Sequence, residues 1–233
     1  MKPISIAALL VLLLATCAFA QPVRVLIITG GHAHDISFYS IFENFEPIRA
    51  TTDTLEDALK SDLRKRFDVL VMYDMHNEIS EAARTNLRNF VEAGKGIVSL
   101  HHAVVNFTAW PWWYEEVTGG KYFIEAVGQH GASANTANAE FVVRPVGKHP
   151  VTDGVGELRV SDEPYRKMWF SPKIKVLMET DHSLNDKPVV YVGPYDKARV
   201  VYIQLGHDRR THLMPGYQKL VRNAILWTAG KTD

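Results

Sequence analysis

The sequence predicts an α/β fold with a mainly parallel sheet. Between residues 21 and 100, short runs of β-branched residues alternate with amphipathic stretches, which is typical of βαβ units. Four histidine-bearing segments also come directly after predicted strands. Because the carboxyl ends of parallel strands meet at one edge of a sheet, we expect these histidines to surround one pocket. The four segments are residues 30–35, 74–76, 101–102 and 206–208.

The first predicted strand covers residues 23–29, and its nearly continuous apolar character indicates a central strand that is covered on both faces. Short helices and strands alternate after it, and Asp53 or Thr54 is expected to cap the second helix. These elements are a helix at 37–45, a short strand at 48–51, a helix at 54–61 and a strand at 68–73.

A longer helix is predicted to begin after Ser80 and to end at Gly94, which supplies a left-handed cap. Its apolar residues recur at helical spacing. A strand at 96–100 then stops at His101. The apolar positions of the helix are Ala83, Leu87, Phe90 and Val91.

The second half is less regular, and residues 121–138 predict a long loop that bears function. Strands and a closing helix follow, with Pro215 suited to the first turn of that helix and Gly230 to its end. The predicted strands are 140–144, 175–179, 189–192 and 200–205, and the helix is 215–228.

Residues 1–20 have the form of a secretory signal peptide. An apolar run at 4–15 leads to small residues that form a cleavage site before Gln21. The run is shorter than the roughly 18 residues that a membrane-spanning helix needs. We therefore expect a periplasmic or secreted protein with no stable membrane insertion after cleavage. A lipoprotein attached through Cys17 is an alternative, which Thr16 disfavours.

The composition, 46% hydrophobic and 22% charged, is ordinary for a globular protein, and we expect residues 21–233 to form one domain. Cys17 is the only cysteine, so the chain after cleavage has no disulfide, no thiol nucleophile and no cysteine-ligated zinc. The 26 basic and 26 acidic residues form no basic run, which argues against nucleic acid as a partner. A small neutral or weakly charged ligand is the expected partner.

Four motifs occur in a characteristic order: Gly-Lys-Gly-Ile-Val-Ser-Leu-His at 94–101, His-Pro-Val-Thr at 149–152, Asp-Glu-Pro-Tyr at 162–165 and Gly-His-Asp at 206–208. Together they resemble the ThuA-like, or trehalose-utilisation, family over nearly all of the chain after residue 20. The resemblance implies a flavodoxin-like three-layer sandwich of the class I glutamine amidotransferase type. It also implies a role in the catabolism of disaccharides, and one route for this catabolism passes through 3-keto-sugar intermediates.

The resemblance to amidotransferases does not extend to their chemistry. Such enzymes carry a reactive cysteine on a strained turn after the strand that matches 96–100, and here His101 and His102 occupy that turn. His207 is similar in position to the catalytic histidine of amidotransferases. In those enzymes the acidic residue of the triad comes two residues after the histidine, whereas Asp208 comes only one residue after His207. Thioester chemistry is therefore excluded.

His34, His101 and His207 are the imidazoles that we expect closest together, each at a strand end. Three neutral imidazoles, or two and a carboxylate, can hold a divalent metal such as zinc with an open position for a sugar oxygen. Alternatively, His101 and His207 act as acid and base without a metal, and Glu163 serves as the partner base.

Further residues are predicted to bind the substrate, and each has a structural alternative. The Trp110 ring is of the type that stacks on a pyranose, or it packs in a core. His149 lines the pocket or caps a turn. The predicted substrate-binding residues are His34, Asp35, Trp110, His149, Tyr165 and Asp208.

The sequence thus predicts an exported protein that acts on a disaccharide or keto-sugar as an isomerase, lyase or hydrolase, and the cofactor remains open between none and a divalent metal. The alternatives are a non-catalytic carbohydrate-binding or accessory protein and a metal-dependent hydrolase.

Overall fold

The computed structural model describes residues 21–233. The predicted signal peptide and Cys17 lie outside the described residues. The strands are β1 (Val23–Gly30), β2 (Ile48–Thr54), β3 (Val69–Asp74), β4 (Gly96–Leu100), β5 (Gly120–Lys121), β6 (Ala134–Asn135), β7 (Ala139–Pro145), β8 (Leu158–Asp162), β9 (Tyr165–Arg166), β10 (Trp169–Phe170), β11 (Lys175–Glu179), β12 (Pro188–Val192) and β13 (Val200–Ile203). The α-helices are α1 (Leu55–Ala58), α2 (Glu81–Glu92), α3 (Arg209–His212) and α4 (Pro215–Thr228).

Nine strands form one mixed sheet in the order β2-β1-β3-β4-β13-β12-β11-β7-β8. The first five strands in this order pair in parallel, and the remaining four add antiparallel pairings. Two small sheets pair β10 with β5 and β6 with β9. A mixed sheet that is parallel in its core and packed with helices confirms the predicted fold class. Among the described residues, no helix has the length and apolar character that crossing a bilayer requires.

Both faces of β1, β3, β4 and β13 are buried, as the nearly continuous apolar run predicted for β1, whereas β2 at the edge of the sheet is largely exposed. Alternate residues point to opposite faces of a strand. Val25, Ile27 and Val71 therefore belong to the core on the α4 side, while Leu26 and Leu70 belong to the core on the α2 side. This double burial fixes the register of β1, β3 and β4 and so fixes where each strand ends.

Helix α2 begins and ends as predicted. The Ser80 hydroxyl accepts a hydrogen bond from the Ala83 backbone N–H at 3.3 Å, and Gly94 adopts the left-handed conformation with φ of +76°. Helix α4 likewise starts at Pro215, which occupies its first turn.

Two predicted elements of the first half differ from the structure. The segment 37–45 forms a 3-10 helix at Ile36–Ile41 instead of an α-helix, and its buried residues Phe38 and Ile41 lie three apart, the period of a 3-10 helix. β2 extends to Thr54 because it pairs with β1 as far as Thr29, which leaves α1 only one turn long.

The second half contains elements that the sequence reasoning missed. β8 was not predicted, although its residues alternate between buried and exposed positions. A π-helix forms at Trp112–Thr118. The predicted loop at 121–138 is partly ordered, since it contains β6 and a bridge between Val127 and His130.

Candidate functional site

Three side chains from distant parts of the chain converge at the carboxyl edge of the sheet. His101 follows β4 directly, His207 lies on the turn after β13, and Glu163 follows β8. His101 Nε2 lies 3.2 Å from His207 Nδ1, and Glu163 Oε2 lies 3.3 Å from each of these nitrogens. Two imidazole nitrogens and one carboxylate oxygen therefore form a nearly equilateral triangle.

This triangle has the size of one face of a zinc tetrahedron. Zinc bonds to histidine nitrogen and carboxylate oxygen are about 2.0 Å long, which places tetrahedral ligands roughly 3.3 Å apart. His101, Glu163 and His207 are the group of possible ligands in the described part of the chain whose atoms all lie within 4.8 Å of one another. Two histidines and a carboxylate form a donor set that suits zinc or another divalent metal.

His101 is held by contacts on both sides of its ring and by its backbone. Its Nδ1–H donates to the Gln204 carbonyl at 2.7 Å, which leaves the Nε2 lone pair directed toward the other two groups. The Tyr165 hydroxyl lies 3.0 Å from that Nε2, and the Tyr202 hydroxyl donates to the His101 carbonyl at 3.1 Å. The backbone φ of His101 is +46°, in the left-handed region.

Asp162 connects Glu163 to His207 through the backbone. Its carboxylate is 1% exposed and accepts hydrogen bonds from the backbone N–H groups of Glu163 at 2.7 Å, His207 at 3.1 Å and Gly206 at 2.8 Å. The Thr211 hydroxyl donates a fourth bond at 2.7 Å. One buried carboxylate therefore holds the end of β8 against the turn that carries His207.

Gly206 allows this turn to form. Its φ is +115°, and a Cβ at this position would lie 2.2 Å from the Tyr217 hydroxyl. That hydroxyl in turn donates to the Leu205 carbonyl at 3.2 Å. Only glycine fits, and the turn presents His207 to the site.

Glu163 and His207 favour each other's charged forms. Burial by itself raises the pKa of Glu163, but its contacts with His101 and His207 and the hydrogen bond from Asn135 outweigh burial and lower that pKa well below its ordinary value. The hydrogen bond to Glu163 raises the pKa of His207 above 6.5. The contact therefore stabilises the carboxylate form of Glu163 and the imidazolium form of His207 relative to their neutral forms.

The three groups open into a cavity of about 240 Å³. Tyr122, Ile124 and Asn135 reach it from the segment after β5, and the Asn135 amide donates to Glu163 Oε1. The full lining is His32, Met75, His101, His102, Val105, Tyr122, Ile124, Asn135, Glu163, Tyr165 and His207.

A second layer of buried polar groups lies behind His101. His102 is 5% exposed, and burial lowers its pKa to about 2. The lowered pKa favours the neutral form of the ring. Its Nδ1 lies 3.3 Å from the Asp74 carbonyl oxygen, and the ring stacks on Tyr73 with 4.5 Å between the ring centroids. Burial raises the pKa of Asp74 to about 7, and the Asn106 amide donates to its carboxyl group at 2.8 Å.

The structure brings together four of the predicted site residues: His101, His207, Glu163 and Tyr165. His34 is not part of the group, so the structure does not assemble the expected ligand set of His34, His101 and His207. β3 lies between β1 and β4, and neighbouring strands are about 4.8 Å apart, which separates residues that follow β1 from those that follow β4. His34 instead packs against Tyr39 and Tyr73.

Asp35 and Asp208 have capping contacts and lie outside the cavity lining. Asp35 accepts a hydrogen bond from the Ser37 backbone N–H at 2.9 Å. Asp208 accepts one from the Arg210 backbone N–H at 2.8 Å and forms an ion pair with the Arg210 side chain. Both carboxylates satisfy helix starts, so the prediction that they bind substrate is not supported by their positions.

Trp110 and His149 are also displaced from the predicted pocket. Trp110 is 5% exposed in the core near α2, stacked on Trp112 and Trp113, and so cannot offer a face to a sugar. His149 lies at the opposite edge of the sheet, against Trp227 near the end of α4. Its Nδ1 accepts a hydrogen bond from the Val151 backbone N–H at 3.3 Å. His149 therefore caps a turn, which was the second of its two predicted roles.

Several residues that line the cavity are not among the predicted site residues. His32 and His102 line the cavity beside His101. Tyr122 and Asn135 fall in the predicted loop, where no periodicity singles out a residue. The motif that contains Glu163 was the available signal for Asp162.

A larger groove of about 1130 Å³ lies at the opposite edge, where the parallel strands begin. Its charged groups are largely paired: Asp68 binds Arg24 and Lys95, and Lys197 binds Glu92. No acid–base group comparable to the histidine and glutamate triangle converges there among the described residues.

Residues 24–228 match the ThuA family, which is described as trehalose utilisation. The chain belongs to the ThuA family. This membership supports a carbohydrate-related role. No curated protein matches the chain.

Solved structures of similar proteins agree with the fold. A ThuA-like protein from Parabacteroides merdae superimposes with a TM-score of 0.79 at 20% identity, covering 91% of this chain and 92% of that chain. A ThuA-like protein from Bacteroides uniformis gives a TM-score of 0.71 at 19% identity, with 91% and 94% covered. The ThuA-like neighbours are consistent with a flavodoxin-like sandwich.

A β-galactosidase from Rahnella sp. R3 contains a region of the same fold. It gives a TM-score of 0.58 at 16% identity and covers 89% of this chain but only 30% of that chain. At this identity the likeness concerns the fold alone.

Proposed function

We propose that this ThuA protein acts on a 3-keto-sugar, such as an oxidised disaccharide, by acid–base chemistry at His101, Glu163 and His207. The observation that carries the proposal is the contact of His101 Nε2, His207 Nδ1 and Glu163 Oε2 within 3.3 Å at the edge of a cavity. A proton acceptor and a proton donor side by side are what elimination next to a ketone requires.

The surroundings support different roles for the two histidines. His101 donates its Nδ1–H to the Gln204 carbonyl, which turns Nε2 toward the cavity, and in this proposal Nε2 serves as the base. The hydrogen bond to Glu163 raises the pKa of His207, which favours its protonated form and suits it to serve as the acid. Glu163 itself is a weak base because its pKa is lowered.

The proposed step conserves atoms and needs no oxidant. A ketone at C3 of the sugar acidifies the C–H bond at C2, and His101 removes this proton. The electron pair forms a C1–C2 double bond while the C1–oxygen bond breaks. His207 gives its proton to the departing oxygen, so the products are an unsaturated keto-sugar and an alcohol.

Metal-assisted chemistry is the second candidate, and the size of the triangle favours it. The His101, Glu163 and His207 ligand atoms fit a divalent metal such as zinc, and the Nδ1–H bond from His101 to a carbonyl is the support that metal-bound histidines usually have. Such a metal polarises a sugar carbonyl or hydroxyl when bound. The histidines would then be ligands instead of proton carriers.

The test is to incubate the purified protein with 3-keto-trehalose and to follow the sugar by NMR. Acid–base chemistry predicts turnover that persists in a chelator. The metal candidate predicts turnover that the chelator abolishes and zinc restores. His101→Ala and His207→Ala are each expected to lower kcat by roughly 100-fold or more.

His182→Ala is the matched control, because His182 lies in a loop outside the cavity lining, and its rate should equal that of the parent. No chemical change of the keto-sugar under any condition would contradict the proposal. Retained sugar binding without turnover would instead establish the non-catalytic carbohydrate-binding alternative.

We also propose that the protein is exported to the periplasm or secreted. The proposal rests on the apolar run and the cleavage site within residues 1–20. An exported enzyme meets sugars outside the cytoplasm, where they are first encountered by the cell.

A further inference from the structure

The proposed step leaves the ketone oxygen of the sugar without a partner. When His101 removes the C2 proton, the electron pair of the C–H bond spreads onto the oxygen at C3, so negative charge develops there. A hydrogen-bond donor directed at such an oxygen is usually the largest single contribution to catalysis. His101 takes the C2 proton and His207 gives its proton to the departing oxygen, so the site needs a further donor.

The Tyr165 hydroxyl is a donor in the right part of the cavity. Tyr165 lines the cavity and is 4% exposed. Its N–H donates to the Asn185 side-chain oxygen at 3.0 Å, and its carbonyl accepts from the Asp186 N–H at 2.7 Å, so its backbone is fixed on both sides. The hydroxyl lies 3.0 Å from His101 Nε2, which is the base in the proposed step. A phenol is protonated at neutral pH and can donate a hydrogen bond.

The hydroxyl lies over the face of the His101 ring and not on the axis of the Nε2 lone pair. The two rings stack at an interplanar angle of 27° with 5.1 Å between their centroids. The hydroxyl oxygen is also only 3.5 Å from Nδ1, and an oxygen on the lone-pair axis would be much farther from that atom, because the lone pair points away from the ring. The Nε2 lone pair therefore stays available for the C2 proton.

The hydrogen of the Tyr165 hydroxyl is available to a ligand for the same reason. An oxygen over the ring face cannot donate well to either ring nitrogen, because their lone pairs lie in the plane of the ring. The Glu163 carboxylate also faces the hydroxyl, but its Oε2 is already shared between the two histidines. A ligand oxygen that enters the cavity beside Nε2 is therefore a good acceptor for this hydrogen.

The separation of the hydroxyl from Nε2 fits a ketone next to the carbon that loses its proton. That carbon must approach Nε2 to about 3–3.5 Å. The ketone oxygen lies about 2.4 Å from the same carbon, because two bonds separate them. A hydroxyl that donates to this oxygen lies about 2.7 Å from it. A path of these three lengths closes over the observed separation of 3.0 Å.

We propose that Tyr165 is a catalytic residue, whose hydroxyl donates a hydrogen bond to the C3 oxygen of the keto-sugar while negative charge develops on that oxygen. The C2 proton goes to His101, and Tyr165 keeps its own proton. The C3 carbonyl forms again as the C1–oxygen bond breaks, so the products are those of the proposed step.

This inference rests on the proposed function, and a ketone that lacks the leaving group separates the two. The 3-ketone of 1,5-anhydroglucitol carries a hydrogen at C1 where trehalose carries its leaving oxygen, but the ketone still acidifies its C2–H bond. Removal of the C2 proton in D2O leads to deuterium at C2, which NMR measures. We expect Tyr165→Phe to lower this exchange rate, and the elimination rate of 3-keto-trehalose, by about 100-fold or more each.

Two other variants separate the roles of the hydroxyls and the acid. His207→Ala removes the acid that serves the departing oxygen, so it should lower elimination and leave the exchange at C2 near the parent rate. Tyr195→Phe is the matched control, because it removes a hydroxyl that donates to Glu92 at 2.7 Å in the groove at the opposite edge of the sheet. Both of its rates should equal those of the parent.

The carbon-13 resonance of the ketone carbon reports the hydrogen bond without turnover. His101→Ala removes the base, so a C3-labelled ketone bound to this variant stays intact. Its resonance should lie downfield of the free ketone, because a donor polarises the carbonyl. The double variant His101→Ala/Tyr165→Phe should lose this shift, which a purely structural role of Tyr165 toward His101 would leave in place.

Exchange in Tyr165→Phe at the parent rate, or an unchanged resonance in the double variant, would overturn the inference while the proposed function stands. If the parent neither exchanges nor eliminates, the proposed function fails, and the resonance still decides whether Tyr165 holds the ketone oxygen. A ketone that does not bind would overturn both.

Discussion

His101 has a backbone conformation that residues other than glycine rarely adopt. A left-handed φ of +46° costs about 1–2 kcal/mol for a residue with a side chain. Contacts from Gln204, Tyr165 and Tyr202 hold the residue there nonetheless. Strain that is fixed by several independent contacts concentrates at functional sites, which agrees with the position of His101 at the cavity.

The contact between Glu163 and His207 predicts a pH dependence of stability in the metal-free protein. The folded pKa of Glu163 is below 4.5, so its contribution is present above pH 4.5 and is lost as the pH falls through the folded pKa. The folded pKa of His207 is above 6.5, so its contribution is present below pH 6.5 and is lost as the pH rises through that pKa.

We therefore expect the stability difference between the parent and Glu163→Gln to be largest between about pH 4.5 and 6.5. Urea unfolding in a chelator at a series of pH values measures this difference. Glu157→Gln removes an exposed carboxylate that pairs with Arg144, and its difference should be small at every pH. A Glu163→Gln difference that keeps growing above pH 8 would contradict the assignment.

The sequence singled out His101, His207 and Glu163 where strand ends and motifs coincide, and the structure places these three side chains together. It was wrong where a residue only followed a strand. His34 follows β1, and the chain alone cannot tell that β3 separates β1 from β4 in the sheet. Trp110 is of the right chemical type for a sugar platform, but packing against Arg88 and Trp113 buries it.

At the scale of single elements, the turn after β13 depends on Gly206. Gly206→Ala places a Cβ 2.2 Å from the Tyr217 hydroxyl in a conformation with φ of +115°. We expect a loss of about 2–4 kcal/mol in the free energy of unfolding, from the clash and the backbone strain together. Urea denaturation measures the loss.

Gly147→Ala separates strain from the clash. Gly147 also has a positive φ, of +70°, but a Cβ there meets no atom within 4 Å. Its expected cost is about 1 kcal/mol. Equal costs for the two variants would show that the Tyr217 contact does not matter to the turn.

Elements with strong local signals were predictable, and those set by their partners were not. Ser80 and Gly94 delimit α2 because both act on the nearest turn of the helix. The length of β2 is decided by its pairing with β1, which is not local. β8 has an alternating pattern, but its five residues are a weak signal until the pairing with β7 is known.

At the scale of the whole molecule, two features of the sheet assemble the site: the parallel pairing of β4 with β13 and the return of β8 to the turn after β13. β4 and β13 are parallel neighbours, so His101 and His207 start from adjacent strand ends. β8 is the last strand of the sheet order, yet Asp162 at its end bonds to the turn after β13. The antiparallel half of the sheet therefore brings Glu163 back to the parallel half.

The proposed export predicts the form of the protein that a cell accumulates. We expect the protein recovered from the periplasm or the medium to begin at Gln21, because the small residues before it form the cleavage site. Mass spectrometry of the intact protein measures this. Replacing Ala18 and Ala20 by bulky residues should block cleavage, whereas replacing Thr16 and retaining Cys17 should not. Protein that keeps Met1 and stays in the cytoplasm would contradict the proposal.

The sequence by itself determined the α/β class, the burial of β1 on both faces, and the residue types available for chemistry, because these follow from local periodicity and composition. Only the tertiary structure decided that Glu163, and not His34, completes the group with His101 and His207. The reason is physical: sheet order and the return of β8 depend on contacts between residues far apart in the chain, and no local pattern encodes those distances.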